Sequence, residues 1–102
     1  MKAVYISVPI TGRKIEDVSK HISFVIDAYL KKYEIINPLK IFDVLKREVN
    51  EIPSYAKIIG FDIMFLIEQS EAVFFCRGWH ESKGCQLEFA AAKIYGKEIM
   101  FE

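Results

Sequence analysis

Apolar residues along this chain fall into two rhythms: short unbroken runs, and longer stretches at helical spacing. Lys2 to Val8 is a near-continuous apolar run with β-branched and aromatic residues, as suits a strand covered on both faces in a parallel sheet. Pro9-Ile10-Thr11-Gly12-Arg13 breaks it into a loop. From about Ile15 to Lys32, Val18, Ile22, Val25 and Tyr29 recur at helical spacing, with Lys14, Glu16, Asp17, Lys20 and Lys31 elsewhere on the wheel. Tyr33 to Asn37 reads as a second strand, ended by Asn37-Pro38 because the residue before proline avoids the helical region. Leu39 to Val49 is a short helix or an ordered loop. After Pro53-Ser54, a strongly apolar helix spans about Tyr55 to Gln69, with Tyr55, Ile58, Ile59, Ile63 and Leu66 as its expected buried stripe. Glu71 to Cys76 is the third strand. Ser82 is placed to N-cap a helix running to about Tyr95, Gly96 suits its C′ position, and Glu98 to Phe101 is a fourth strand.

The sum is βαβαβαβ. Such alternation predicts one α/β domain over residues 1–102: a four-stranded parallel sheet, flavodoxin-like, with helices on both faces in three layers. Right-handed crossovers and double winding give strand order 2-1-3-4. Strands one and three are then neighbours whose connections leave in opposite directions. The crevice between the loops after them, Pro9 to Arg13 and Arg77 to Ser82, is the predicted site.

Composition narrows the classes. Hydrophobic residues make up 52% and charged residues 27% of 102 residues, which describes a folded domain. The 14 basic residues balance the 14 acidic ones, which argues against a grip on a nucleic-acid polymer but leaves room for a small anionic ligand. No apolar run reaches the ~18–20 residues of a membrane span, and the start is too short for a signal peptide. Cys76 and Cys85 form neither a disulfide framework nor a zinc site, and a reducing, cytoplasmic setting fits them.

Glu88 is the leading candidate for chemistry. A helix starting near Ser82 puts it about 9 Å inside, with small residues Gly84 and Cys85 one turn back. A carboxylate so placed serves as a nucleophile or an acid/base, or is a solvated surface glutamate. Asp62 interrupts an apolar stripe, where a charge is costly unless paired, hydrogen-bonded or at a cleft. Two carboxylates flanking one pocket are common in glycosidic bond cleavage. Tyr5 and Ser7 share one face of the first strand and reach toward the crevice. Trp79 either stacks on a planar base or seals a subunit contact. His80 is either a phosphate contact or solvated, and His21 is expected to face water. Thr11-Gly12-Arg13 is suited to an anion through backbone N–H groups and the arginine. The P-loop and dinucleotide glycine fingerprints are absent.

Tyr5-Ile6-Ser7-Val8-Pro9-Ile10-Thr11-Gly12, Asn37-Pro38, Asp62-Ile63 and the run from Gly78-Trp79 through Ser82, Gly84 and Glu88 to Ala91 resemble the nucleoside 2-deoxyribosyltransferase-like superfamily, and within it the small DUF4406 group. The resemblance spans almost the whole chain. It implies a flavodoxin-like fold and a pocket for a nucleoside or nucleotide. The superfamily's nucleophilic glutamate matches Glu88, and the helix aspartate that assists base departure matches Asp62. Tyr5 matches the tyrosine that orients sugar and nucleophile. Ser82 stands where the transferases have aspartate and the related nucleotide hydrolases serine. Ser7, Pro9, Thr11, Gly12, Asn37, Gly78, Trp79, Ser82 and Gly84 are the implied substrate-binding positions, with no metal or cofactor. Two departures stand out: Val8 replaces a glycine usual in the group, and the chain is shorter than the characterised enzymes, whose pockets are often finished by a neighbouring subunit.

Three functions follow as expectations. The first is an enzyme acting on the N-glycosidic bond of a nucleoside or its 5′-phosphate, by transfer or hydrolysis. The second is a nucleotide-binding or sequestering module without turnover. The third is an interaction domain with no ligand. A small domain with 14% aromatic residues is also expected to form a homo-oligomer, through the helix after Pro53.

Overall fold

The computed structural model describes residues 1–49 and 52–102. Its elements are β1 (Ala3–Ser7), α1 (Ile15–Tyr29), β2 (Glu34–Ile36), α2 (Pro38–Val49), α3 (Tyr55–Gln69), β3 (Ala72–Phe75), a 3₁₀ turn (Trp79–Glu81), α4 (Lys83–Ile94) and β4 (Glu98–Phe101). The four strands form one parallel sheet in the order β2-β1-β3-β4, as the alternation predicts. β1 is the pivot: Tyr5 pairs with Ile36 on one side and Val73 on the other.

Alternation along the strands divides the core in two. Val4, Ile6 and Val8 of β1 and its continuation, with Ala72, Phe74 and Cys76, face Val18, Ile22 and Val25 of α1. Tyr5, Val73 and Phe75 point the other way, toward Ile41 of α2, Leu66 of α3 and Ala92 of α4. Every residue of β1 and β3 is buried, so neither strand shows a polar face. This explains their continuous apolar runs. Among the described residues no helix is long and apolar enough to cross a membrane.

The segment read as a short helix or an ordered loop is a helix, α2, with Pro38 at its first position. Asn37 caps it, its Oδ1 accepting from Leu39 N–H at 2.9 Å. The buried stripe of α3 is narrower than its apolar sequence implies. Leu66 and Asp62 are buried, Ile58, Ile59 and Ile63 are half-buried, and Tyr55 stands 56% exposed. His21 does not face water. It lies half-buried between Arg13, whose guanidinium donates to Nδ1 at 3.2 Å, and Glu102, which accepts from Nε2 at 2.8 Å. Arginine has no acceptor atom, so it fixes the tautomer: the proton sits on Nε2.

Candidate functional site

Two cavities open at the carboxyl end of β1 and β3. The inner one, about 180 Å³, has Tyr5 and Val8 from β1 and its end, Asp62 with Ile58 and Ile59 from α3, and Gly84 with Glu88 from α4 in its walls. The outer one is a cleft of about 1130 Å³ between the loop after β1 (Pro9, Thr11, Arg13) and the loop after β3 (Arg77, Gly78, Ser82). This is the crevice that the topology predicts. Thr11, Tyr55 and Ser82 line both cavities and join them.

Glu88 is held at the inner cavity by β1. Ser82 caps α4, its Oγ accepting from Cys85 N–H at 3.3 Å, and fixes where the helix begins. Glu88 then falls a turn and a half inside α4, on the side that packs against the sheet. Tyr5 and Ser7, two residues apart on β1, share a face and meet the carboxylate together. The Tyr5 hydroxyl donates to Oε2 at 2.5 Å, and the Ser7 hydroxyl donates to Oε1 at 2.7 Å. Glu88 is only 5% exposed. Each oxygen keeps a lone pair after these two bonds, so the carboxylate is oriented without being used up.

Asp62 reaches the same cavity from α3 and is 6% exposed. Its Oδ1 is the one buried side-chain nitrogen or oxygen among the described residues with no hydrogen-bond partner. A buried carboxyl oxygen left unpaired costs about 1–3 kcal/mol, which a polar ligand group in the cavity would recover.

The two carboxyls titrate high. Burial pushes Asp62 up to about 8, and repulsion from Glu88 adds to it, while nearby Tyr5 pulls modestly the other way. Burial pushes Glu88 up to about 7 against the hydrogen bonds from Tyr5 and Ser7. Both carboxyls therefore resist ionisation, and charge on one opposes charge on the other. Burial, then the charges of Glu88 and Asp62, keep the Tyr5 phenol protonated, so it acts as a donor.

Other expected positions divide. Gly84 lines the inner cavity. A side chain there would meet Ile59 Cδ1 at 3.1 Å and the Tyr55 hydroxyl at 3.4 Å, so a larger residue would crowd the side chains of α3 against α4. Pro9, Thr11 and Gly78 line the cleft, and Gly78 adopts the left-handed φ of 88° that turns the chain out of β3. Ser7 acts through Glu88. Gly12 also has a positive φ, of 78°, and helps shape the loop. Asn37 is occupied as the α2 cap. Trp79, expected at a base or a subunit contact, is half-buried, stacks on Phe89 with centroids 4.7 Å apart and packs against Phe75 and Phe101. It lines neither cavity. His80 is exposed, 3.6 Å from Glu81.

Cys85 and Tyr55 were not singled out as site residues from the sequence. Cys85 lines the inner cavity, and burial raises its thiol pKa. Its position three before Glu88 is a usable signal, because residues at that spacing share a helix face. Tyr55 looked like core and is a wall of both cavities. One group among the described residues has a donor set suited to a metal ion: His21, Cys76 and Glu102, whose ligand atoms lie within 4.8 Å of one another. Much of that capacity is engaged. Glu102 accepts from His21 and from Arg77 N–H, and the Cys76 thiol is pushed up to about 12, chiefly by burial.

Two buried, mutually repelling carboxyls in a cavity at the carboxyl end of the central strands mark the candidate site of a doubly wound, flavodoxin-like α/β domain. More particularly, the chain belongs to the DUF4406 family, described as a domain of unknown function, whose family model matches residues 2–101. No curated protein matches the chain.

Proposed function

We propose that the protein cleaves the N-glycosidic bond of a nucleoside or nucleotide, with Glu88 as nucleophile and Asp62 as acid. Glu88 attacks C1′ from the face opposite the base, and a C1′–O bond forms as the C1′–N bond breaks. The bonding electrons leave with the base, which takes the proton from Asp62. Water or a second base then displaces Glu88 from C1′, giving hydrolysis or transfer, and the proton released by that attack restores Asp62. Tyr5 and Ser7 orient the attacking carboxylate. Ser82, Thr11 and the first N–H groups of α4 receive a hydroxyl or phosphate of the ligand.

One observation carries this chemistry: two buried carboxyls of one cavity, the one anchored by two hydroxyls and the other unpaired at Oδ1. Their environments differ, one carboxyl held by two hydroxyls and the other not, which suits the division of labour that glycosidic cleavage needs. The likeness to the nucleoside 2-deoxyribosyltransferase-like superfamily supports the same assignment. Incubation with deoxynucleosides and their 5′-monophosphates, followed by chromatography for free base, tests it. Base release or exchange that Glu88→Ala abolishes is expected. No release by the unaltered protein, or full activity in Glu88→Ala, refutes it.

Val8 in the wall of the 180 Å³ cavity favours a second function, a nucleotide-binding module without turnover. Saturable nucleotide binding with no base released, unchanged in Glu88→Gln, would establish that one instead.

A further inference from the structure

The two cavities differ in size, and the difference bears on the ligand. Pockets that enclose a whole small ligand run to roughly 300–1,000 Å³. At about 180 Å³, the inner cavity admits a sugar at Glu88 and little more, so most of a nucleotide must lie in the cleft of about 1130 Å³. That cleft is much larger than a single phosphate requires.

Its walls are also chemically specific. Four side-chain cations line it, Arg13, Lys20, Arg77 and Lys83, against three carboxylates, Asp17, Glu81 and Glu102. Glu102 is already engaged by His21 and Arg77 N–H. Arg13 spends one nitrogen on Pro9 O and one on His21, which leaves part of its five-donor fork for a ligand. The N-terminus of α4, entered at Ser82 and Lys83, opens onto the same space and favours an anion. Beyond these charges the cleft follows one flank of α1 from Asp17 to Phe24, about 10 Å at 1.5 Å per residue. Phe24 stands in the same wall, an aromatic side chain left 56% exposed. An exposed ring in the wall of a cation-lined groove is a platform for a planar base.

Taking Glu88 as the group that meets the sugar, as proposed above, we infer that the ligand is a nucleotide whose 5′-pyrophosphate carries a second nucleoside. The reacting sugar occupies the inner cavity. The pyrophosphate passes Ser82 and the cations Arg13, Arg77 and Lys83. The second nucleoside runs along α1, with Lys20 beside it and its base on Phe24. A nucleoside or a 5′-monophosphate fills only the first part of this path.

Calorimetric titration with adenosine, AMP, ADP and diadenosine 5′,5′-diphosphate, in ribo and deoxyribo forms, tests the inference, with chromatography for free adenine run on each ligand. Affinity is expected to rise about tenfold from nucleoside to diphosphate, as charge-assisted contacts form. A further several-fold gain is expected with the second nucleoside. Arg77→Glu combined with Lys83→Glu should remove the first gain. Phe24→Ala should remove only the second, and Phe24→Tyr should keep it. Both sets of positions are exposed, so the fold should tolerate the changes. Affinities for nucleoside and dinucleotide within about twofold of each other, or a dinucleotide gain that survives Phe24→Ala, overturn the inference. Adenine freed from nucleosides that bind as well as dinucleotides leaves the glycosidic chemistry standing without it. Phe24-dependent dinucleotide binding with no adenine freed supports the inference and removes the chemistry.

Discussion

Replacing Glu88 by glutamine should stabilise the protein at mildly alkaline pH and change little in acid. The folded chain holds the Glu88 proton to about 7, against 4.5 for an unperturbed glutamate, because burial outweighs the Tyr5 and Ser7 hydrogen bonds. A pKa displaced by one unit corresponds to about 1.4 kcal/mol, so ionising Glu88 in the folded state withdraws roughly 3 kcal/mol. Asp62, moved from 3.8 to about 8, adds a comparable or larger loss, part of which is the same Glu88–Asp62 repulsion. Below both unperturbed values the carboxyls are protonated in either state, and the pair's full contribution to stability is present. As pH rises from there toward about 8, the unfolded chain gives up protons that the folded chain keeps, and stability falls. Above that range the curve flattens. Glutamine cannot ionise, and its amide finds acceptors because the Tyr5 and Ser7 hydroxyls accept as well as donate. Urea unfolding at several pH values, with a common m-value, measures the effect. Glu88→Gln should gain about 3 kcal/mol or more over the parent near pH 8 and stay within about 1 kcal/mol of it near pH 4. Other titrating groups, Glu102 among them, are common to both proteins and cancel. A parent whose advantage over the variant grows with pH, or a variant no more stable at pH 8, would refute the reasoning.

Three further outcomes are expected. Tyr5→Phe removes the hydrogen bond to Oε2, so the Glu88 pKa should climb by about one unit, read by carbon-13 NMR of the carboxyl; an unchanged titration would contradict the assigned role. Gly84→Ala should cost about 1 kcal/mol and weaken ligand binding, because its methyl meets Ile59, whereas Gly60→Ala on the open side of α3 should stabilise by a similar amount; thermal melts compare the two. Self-association through the outer side of α3, where Phe61 and Met64 stand exposed, predicts a dimer in light scattering that Met64→Lys converts to monomer; a monomer at every concentration rejects it.

What the chain discloses in advance follows the range of each interaction. Strand order came from alternation and the handedness of crossovers, both properties of consecutive elements. Glu88 and Asp62 were visible because a carboxylate in an apolar or small-residue setting breaks a local pattern. The status of α2 was also written locally, as an asparagine cap before a proline at the first helical turn, but the same dipeptide marks the end of a strand. Contacts between distant residues were not visible. His21 meets Glu102 across 81 positions, and no periodicity foretells that bond. Trp79 looked like a free loop aromatic because its partners, Phe89 and Phe101, lie on other elements. Tyr55 looked buried because apolar composition does not reveal which side of a helix borders a cavity.

Ser82 caps α4 through Cys85 N–H and also borders both cavities. Its hydroxyl still has a proton and a second lone pair to offer. A ligand oxygen that takes the proton would draw the hydroxyl toward itself, and the cap would tighten or loosen with it. Amide hydrogen exchange at Cys85 would then act as a label-free occupancy meter, readable before any reaction is known. Compounds could be ranked by how far they slow or speed that single amide, whether or not they are ever turned over.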